Sequence, residues 1–269
     1  MRADSCLGRI IAALGRRAPI PGRSSAYPVR SSDYGIPRNT AIGRVIGAVT
    51  RADSVSRGVV VTCRADLRKA QLAGLDLRHA HLVEANLFGA NLDRAKLASA
   101  SLVSAKLDRA ILILADLTKA NLNGAFLSDT DLSGARLSGA DLSRAFLRRA
   151  TLRGASLVGA RLIMAHLNKA DLTGADLTGA DLTSADLTGA DLTRADLTHS
   201  NLTKADLADA HLTNTNLTGT KLGGVLWTLR TIWPESFADH ILARSDEIRP
   251  GVYRVRGGSE RDPSTLTHA

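Results

Sequence analysis

From Leu67 to Leu222 every fifth residue is leucine, thirty-two times without an exception. The position two places before each leucine is nearly as uniform, being Ala except at Leu75, Thr130, Ser200, Thr215 and Thr220. A five-residue period suits neither regular element. On an α-helix five residues advance about 500°, so successive leucines drift about 140° round the axis and form no stripe. On a straight strand an odd period sends alternate leucines to opposite faces. Both conflicts vanish if the chain turns a corner once per repeat. Ala and Leu then face inward, the residue between them faces outward, and the next two residues make the corner.

The remaining positions fit that geometry. The outward residue is Asp or Asn in seventeen of thirty-two repeats, as at Asp66, Asn86, Asp116 and Asn216. The corner pair is often Thr-Gly or Ser-Gly, as at Thr173-Gly174 and Ser133-Gly134, which suits a tight bend. No Pro occurs between Pro37 and Pro234, and no insertion shifts the register. In these residues the chain resembles the pentapeptide-repeat family, whose consensus is Ala-(Asp/Asn)-Leu-X-X. The resemblance covers about 160 of the 269 residues. It implies an all-β solenoid, a right-handed quadrilateral β-helix of about eight coils with short flanking helices as caps. At about 4.8 Å between stacked strands such a rod is roughly 38 Å long.

Each coil stacks four leucines on the coils above and below, and a buried Leu contributes about 1.5–3 kcal/mol before entropy is subtracted. Alanine at the second inward position keeps the core narrow, so a larger residue there overpacks it. Leu75 is the one breach, near the amino end, where a wider first coil can take it. Thr130, Ser200, Thr215 and Thr220 are small enough to fit, and each hydroxyl can bond to a neighbouring carbonyl.

A solenoid needs covered ends, because a bare last coil exposes apolar core and unpaired strand edges. Residues 1–38 read as an arginine-rich disordered leader, and 39–64 as an amino-terminal cap helix, with Ile42, Val45, Ile46 and Val49 on one face, followed by a degenerate first coil. The β-helix runs over 65–224, and 225–250 reads as an aromatic and helical cap. In that cap Val225 and Trp227 keep the inward register for one more half-formed repeat. Pro234-Glu235 can start a short helix with Phe237, Ile241 and Leu242 on one side. Residues 251–269 read as a flexible tail. The family resemblance adds a homodimer through residues 225–243 as an expectation.

Catalytic chemistry is hard to find in this chain, which is read as a non-enzyme. His79 and His81 are close together, but no Cys or Glu stands at zinc spacing around them. The aspartates are regularly spaced and outward by phase, unlike an acid–base pair in a cleft. There is no Gly-rich phosphate loop with its Lys and no nucleophile elbow. No catalytic, cofactor-binding or metal residue is therefore expected. The two cysteines, Cys6 and Cys63, make no disulfide framework and suit a reducing, cytoplasmic setting. Nothing in the sequence approaches a membrane span.

What the rod displays follows from folding the chain at twenty residues per coil. Residues 93–164 hold eleven Arg or Lys against six Asp, including Arg144, Arg148, Arg149, Arg153 and Arg161. Residues 165–209 hold three basic residues against eight Asp. The rod is expected to be positive in the middle and negative toward the carboxyl end. One side stacks Lys106, Phe126, Phe146 and His166, and another brings out Ile111, Ile113 and Leu114. Exposed apolar groups on a rigid surface point to a protein contact. A rigid scaffold or protein-interaction module with an unidentified protein partner is the expected role. Two alternatives stand beside it. The resemblance implies a DNA mimic that occupies the DNA site of gyrase, which here would use Asp171, Asp176, Asp181, Asp186, Asp191, Asp196 and Asp206. A net charge of +9 opposes that reading. The Arg144–Arg161 patch with the basic leader suits a nucleic-acid-binding protein instead.

Overall fold

Where the backbone hydrogen bonds of one repeat go explains why the chain coils. The computed structural model describes residues 66–257. In the repeat around Leu172, the outward Asp171 donates its N–H to Ala150 O of the preceding coil at 2.9 Å, and Leu172 donates to Asp191 O of the following coil at 2.7 Å. Gly174 donates to Thr193 O, also in the following coil, and Ala175 closes the corner by donating to Leu172 O, both at 2.9 Å. Four of the five N–H groups are thus satisfied by backbone alone. The fifth, on the first corner residue Thr173, has no backbone partner and is taken by Asp171 Oδ1 at 3.1 Å.

That division of labour is the physical content of the repeat. All seventeen Asp and Asn at the outward position accept the N–H two residues on, at 2.9–3.3 Å. The side chain supplies the acceptor that this one N–H does not find in the backbone. The second corner residue has positive φ in every repeat from Lys69 to Gly224. With the carbonyl-to-amide bond across the corner, this is the signature of a type II turn, which favours Gly there.

Parallel bridges link residues twenty apart, from Asp66–Asn86 through Asp206–Leu226, so four repeats make one coil. Eight coils stack into a right-handed quadrilateral β-helix. The inward leucines from Leu87 to Leu212 are at most 1% exposed, and the alanines between them are equally enclosed. Leu75 is accommodated in the first coil, half-buried against the core. Thr130, Thr215 and Thr220 donate their hydroxyls to Leu107 O, Leu192 O and Leu197 O at 2.7–2.8 Å, as expected. Ser200 departs from that expectation: its hydroxyl is buried and has no partner.

The solenoid continues past Leu222. Val225 and Trp227 occupy the Ala and Leu phases, and after a one-residue insertion Thr231 and Trp233 occupy them again. Thr231 bonds to Leu207 O at 2.8 Å, and Ile232 bridges to His211. β1 (Leu226–Thr228) is followed by α1 (Glu235–Ala243), β2 (Ser245–Arg249) and β3 (Val252–Val255), with sheet order β1–β3–β2. Trp227 stacks on Tyr253 at 4.6 Å and meets Trp233 edge-on at 5.9 Å, and its Nε1 donates to Ser245 Oγ at 2.9 Å.

Two expectations change here. Ile241 is buried and Phe237 half-buried, but Leu242 is 50% exposed; neighbouring helical residues stand about 100° apart, so only one of the pair can face the core. Residues 251–269 are expected from the sequence to be a flexible tail, yet Val252–Val255 form a strand and Val255 is 1% exposed; residues 258–269 lie outside the described residues. This strand pairs antiparallel with β1 and so covers an edge of the last coil. The leader, 1–38, and the amino-terminal cap, 39–64, lie outside the described residues. Among the described residues no helix is long and apolar enough to cross a membrane.

Candidate protein-interaction surface

Stacking at twenty residues turns the sequence into columns. Lys106, Phe126, Phe146 and His166 lie on one face in four consecutive coils. The Phe126 and Phe146 rings stack at 5.1 Å with planes 5° apart, and Phe146 and His166 at 4.9 Å and 7°. Each phenylalanine is 38% exposed. Because the rings cover one another's faces, the surface receives mainly their edges. No outward Asp or Asn serves the corners after Phe126, Phe146 and His166; at the first of them Asp108 of the preceding coil stands in, its Oδ1 accepting from Ser128 N at 3.2 Å.

Both neighbouring corners are basic. Arg144 precedes Phe146, with Met164 following it in the next coil at 50% exposure. Arg148 and Arg149 come directly after Phe146–Leu147. Arg149 forms a two-pronged pair with Asp129 at 2.7 and 2.8 Å, which holds the Asp129 carboxyl below its ordinary range. Arg153 bonds to Asp171. Burial pushes the Asp171 carboxyl up, but the hydrogen bonds from Thr173 and Arg153 outweigh it, and the group ends below its ordinary value. Arg144, Arg148 and Arg161 form no ion pair among the described residues. The expected positive middle is therefore real and partly unneutralised.

The acidic set has a different character from the one expected. Asp171 and Asp191 share one face, Asp176 and Asp196 the next, Asp181 a third, and Asp186 and Asp206 the fourth. They are half-buried, and each has Oδ1 engaged at its own corner. Their first role is structural. The second apolar group holds as a corner patch: Ile111 is 41% and Leu114 49% exposed, with Ile113 half-buried. His81 stands on an outward position and His79 at a corner. Among the described residues no group of three or more His, Cys, Asp or Glu could hold a metal ion.

Sequence reasoning missed Met164 and the Phe88–Arg109 contact, in which the guanidinium lies 5.8 Å from the ring centre. Both were within reach of the twenty-residue register, since Met164 follows Arg144, and Arg109 stands one coil beyond the corner that holds Phe88.

The family model for pentapeptide repeats matches eight copies over residues 65–226. The chain belongs to the pentapeptide-repeat family. Among solved structures this pentapeptide-repeat chain is similar to HetL from the cyanobacterium Nostoc sp. strain PCC 7120, described as involved in heterocyst differentiation regulation. The two are 40% identical with a TM-score of 0.58, over 59% of this chain and 73% of HetL. Rfr23 from the cyanobacterium Cyanothece 51142 is 38% identical over 36% of this chain and 63% of its own, with a TM-score of 0.24. QnrB1, a plasmid-mediated fluoroquinolone resistance protein, is 17% identical over 65% of this chain and 94% of its own, with a TM-score of 0.36. The last two superpose too poorly for their roles to bear on this rod. No curated protein matches the chain.

Proposed function

We propose that this pentapeptide-repeat protein is a rigid, non-enzymatic interaction scaffold that works in the cytoplasm by docking a partner protein. The observation that carries the reading is the exposed aromatic ladder, held in register by a backbone whose inter-coil bonds are already made. Such a surface is pre-organised, so binding orders few side chains. HetL's association with a regulatory process supports action through a partner. The absence of a disulfide framework in Cys6 and Cys63 supports the cytoplasmic placement. A homodimer through 225–243 would have to use Leu229, Ile232 and Leu242, which are 70%, 46% and 50% exposed, because Trp227 and Trp233 are spent on the cap.

Affinity capture with the intact protein from its native host tests the reading, with the Leu147→Asp variant as an unfolded control. The expected result is a near-stoichiometric protein that stays bound in high salt and is lost with the variant. Recovery of nucleic acid alone, with affinity falling steeply as salt rises, would favour the basic-patch alternative. Inhibition of gyrase supercoiling without DNA affinity would favour the DNA mimic.

A further inference from the structure

The ladder specifies the shape and charge of what can sit on it. Resting on the scaffold reading above, we propose that the face built by Phe126, Phe146 and His166 binds an acidic amphipathic α-helix lying parallel to the rod axis.

Spacing selects the helix. The ladder spans 10.0 Å over two steps, from the 5.1 and 4.9 Å ring separations. A helix presents residues i, i+3 or i+4, and i+7 on one stripe, and seven residues rise about 10.5 Å. An extended peptide along the axis repeats its side chains every 6.6–6.8 Å or so, and falls out of step by the third rung. Strand addition to this face is closed as well. Phe146 makes both of its backbone bonds to the coil before, donating to Ala125 O at 2.9 Å and accepting from Leu127 N at 2.7 Å, while its neighbours Ala145 O and Leu147 N are bonded to His166 of the coil after at 2.9 and 2.7 Å. Nucleic-acid bases are a poor match, since stacking platforms need open ring faces and these faces cover one another.

Charge selects acidity. Arg144 on one corner and Arg148 on the other flank the central ring and have no ion pair among the described residues, while Met164 extends the apolar strip beside His166. Glu or Asp on both shoulders of a docked helix would meet these guanidinium groups, a pairing that adds specificity and association rate more than affinity. The column also has a polarity, with Lys106 at one end and Asp186 at the other. A helix dipole fits it with the amino terminus toward Asp186.

The test uses the full-length protein and a displayed library of amphipathic helices whose polar shoulders are acidic, basic or neutral. Acidic helices should be enriched, and the best of them, made as a labelled peptide, should bind about tenfold or more weakly to the Phe126→Ser/Phe146→Ser rod. Both rings are surface groups, so an unchanged thermal unfolding curve confirms that the variant folds. Arg144→Glu/Arg148→Glu should switch the preference to basic-shouldered helices. Binders that are basic on the parent rod, or indifferent to all four substitutions, would overturn this assignment and leave the scaffold reading to its own capture experiment. Displacement of the peptide by a single-stranded oligonucleotide at low salt would also overturn it.

Discussion

The corner acceptors can be separated from their charge by changing all seven aspartates of the carboxyl-terminal coils together. In one variant Asp171, Asp176, Asp181, Asp186, Asp191, Asp196 and Asp206 become Asn; in the other they become Ala. Asn keeps the Oδ1 that each corner N–H needs, as Asn201 and Asn216 already do at 3.1 Å. Ala removes it. A lost hydrogen bond to a half-buried backbone donor costs about 1 kcal/mol, so seven cost on the order of 7 kcal/mol. That is comparable to the whole stability of an ordinary domain, about 5–15 kcal/mol. The Asn variant also loses the Arg153–Asp171 pair, which is exposed on the Arg side and worth little. Urea unfolding followed by circular dichroism should show the Asn protein close to the parent. The Ala protein should be unfolded, or cleaved by protease from the carboxyl-terminal coils inward. Equal stability of the Ala variant and the parent would refute the corner-acceptor argument, and collapse of the Asn variant would show that the charges themselves matter.

Three further outcomes are expected. Gly134→Ala and Gly154→Ala both place a side chain at φ near +60°, but only the first brings Cβ to 2.8 Å from Leu114 Cδ2; each should lose about 1 kcal/mol of stability to backbone strain. Gly134→Ala should lose more, and Leu114→Ala should recover the difference in urea midpoint. Acid should destabilise the rod, because the carboxyl of Asp76 is lowered to about 2 by its hydrogen bond from Arg78, and Asp116, Asp129 and Asp171 are lowered too. A depressed folded value contributes stability above the unfolded value of about 3.9 and loses it as pH falls through the folded one. Urea midpoints should therefore be level above about pH 5 and drop between about pH 4 and 2, and a midpoint that rises toward pH 2 would contradict this. Truncation after Thr220 removes Trp227, Trp233 and β3 and should cause aggregation, while removal of residues 1–38 should leave the circular dichroism of the rod intact; sedimentation of the two proteins decides it.

A strict period of five, with Ala and Leu on fixed phases, was enough for the sequence to determine the coil. Only a chain that turns once per repeat keeps those two positions inside, and the twenty-residue register then places Lys106, Phe126, Phe146 and His166 in one column. The cap was only half legible. Trp227 could be read from its phase, but Trp233 returns to the core after a one-residue insertion, and no local pattern announces that Val252–Val255 will close β1. Pairing between segments about 25 residues apart is a long-range choice, made by which edge is free. The sequence placed the Asp and Asn residues outside, but only the tertiary structure assigned their task. The stacked backbone leaves one N–H in each repeat, that of the first corner residue, outside the inter-coil and corner bonds, and that leftover donor exists only once the coils are stacked.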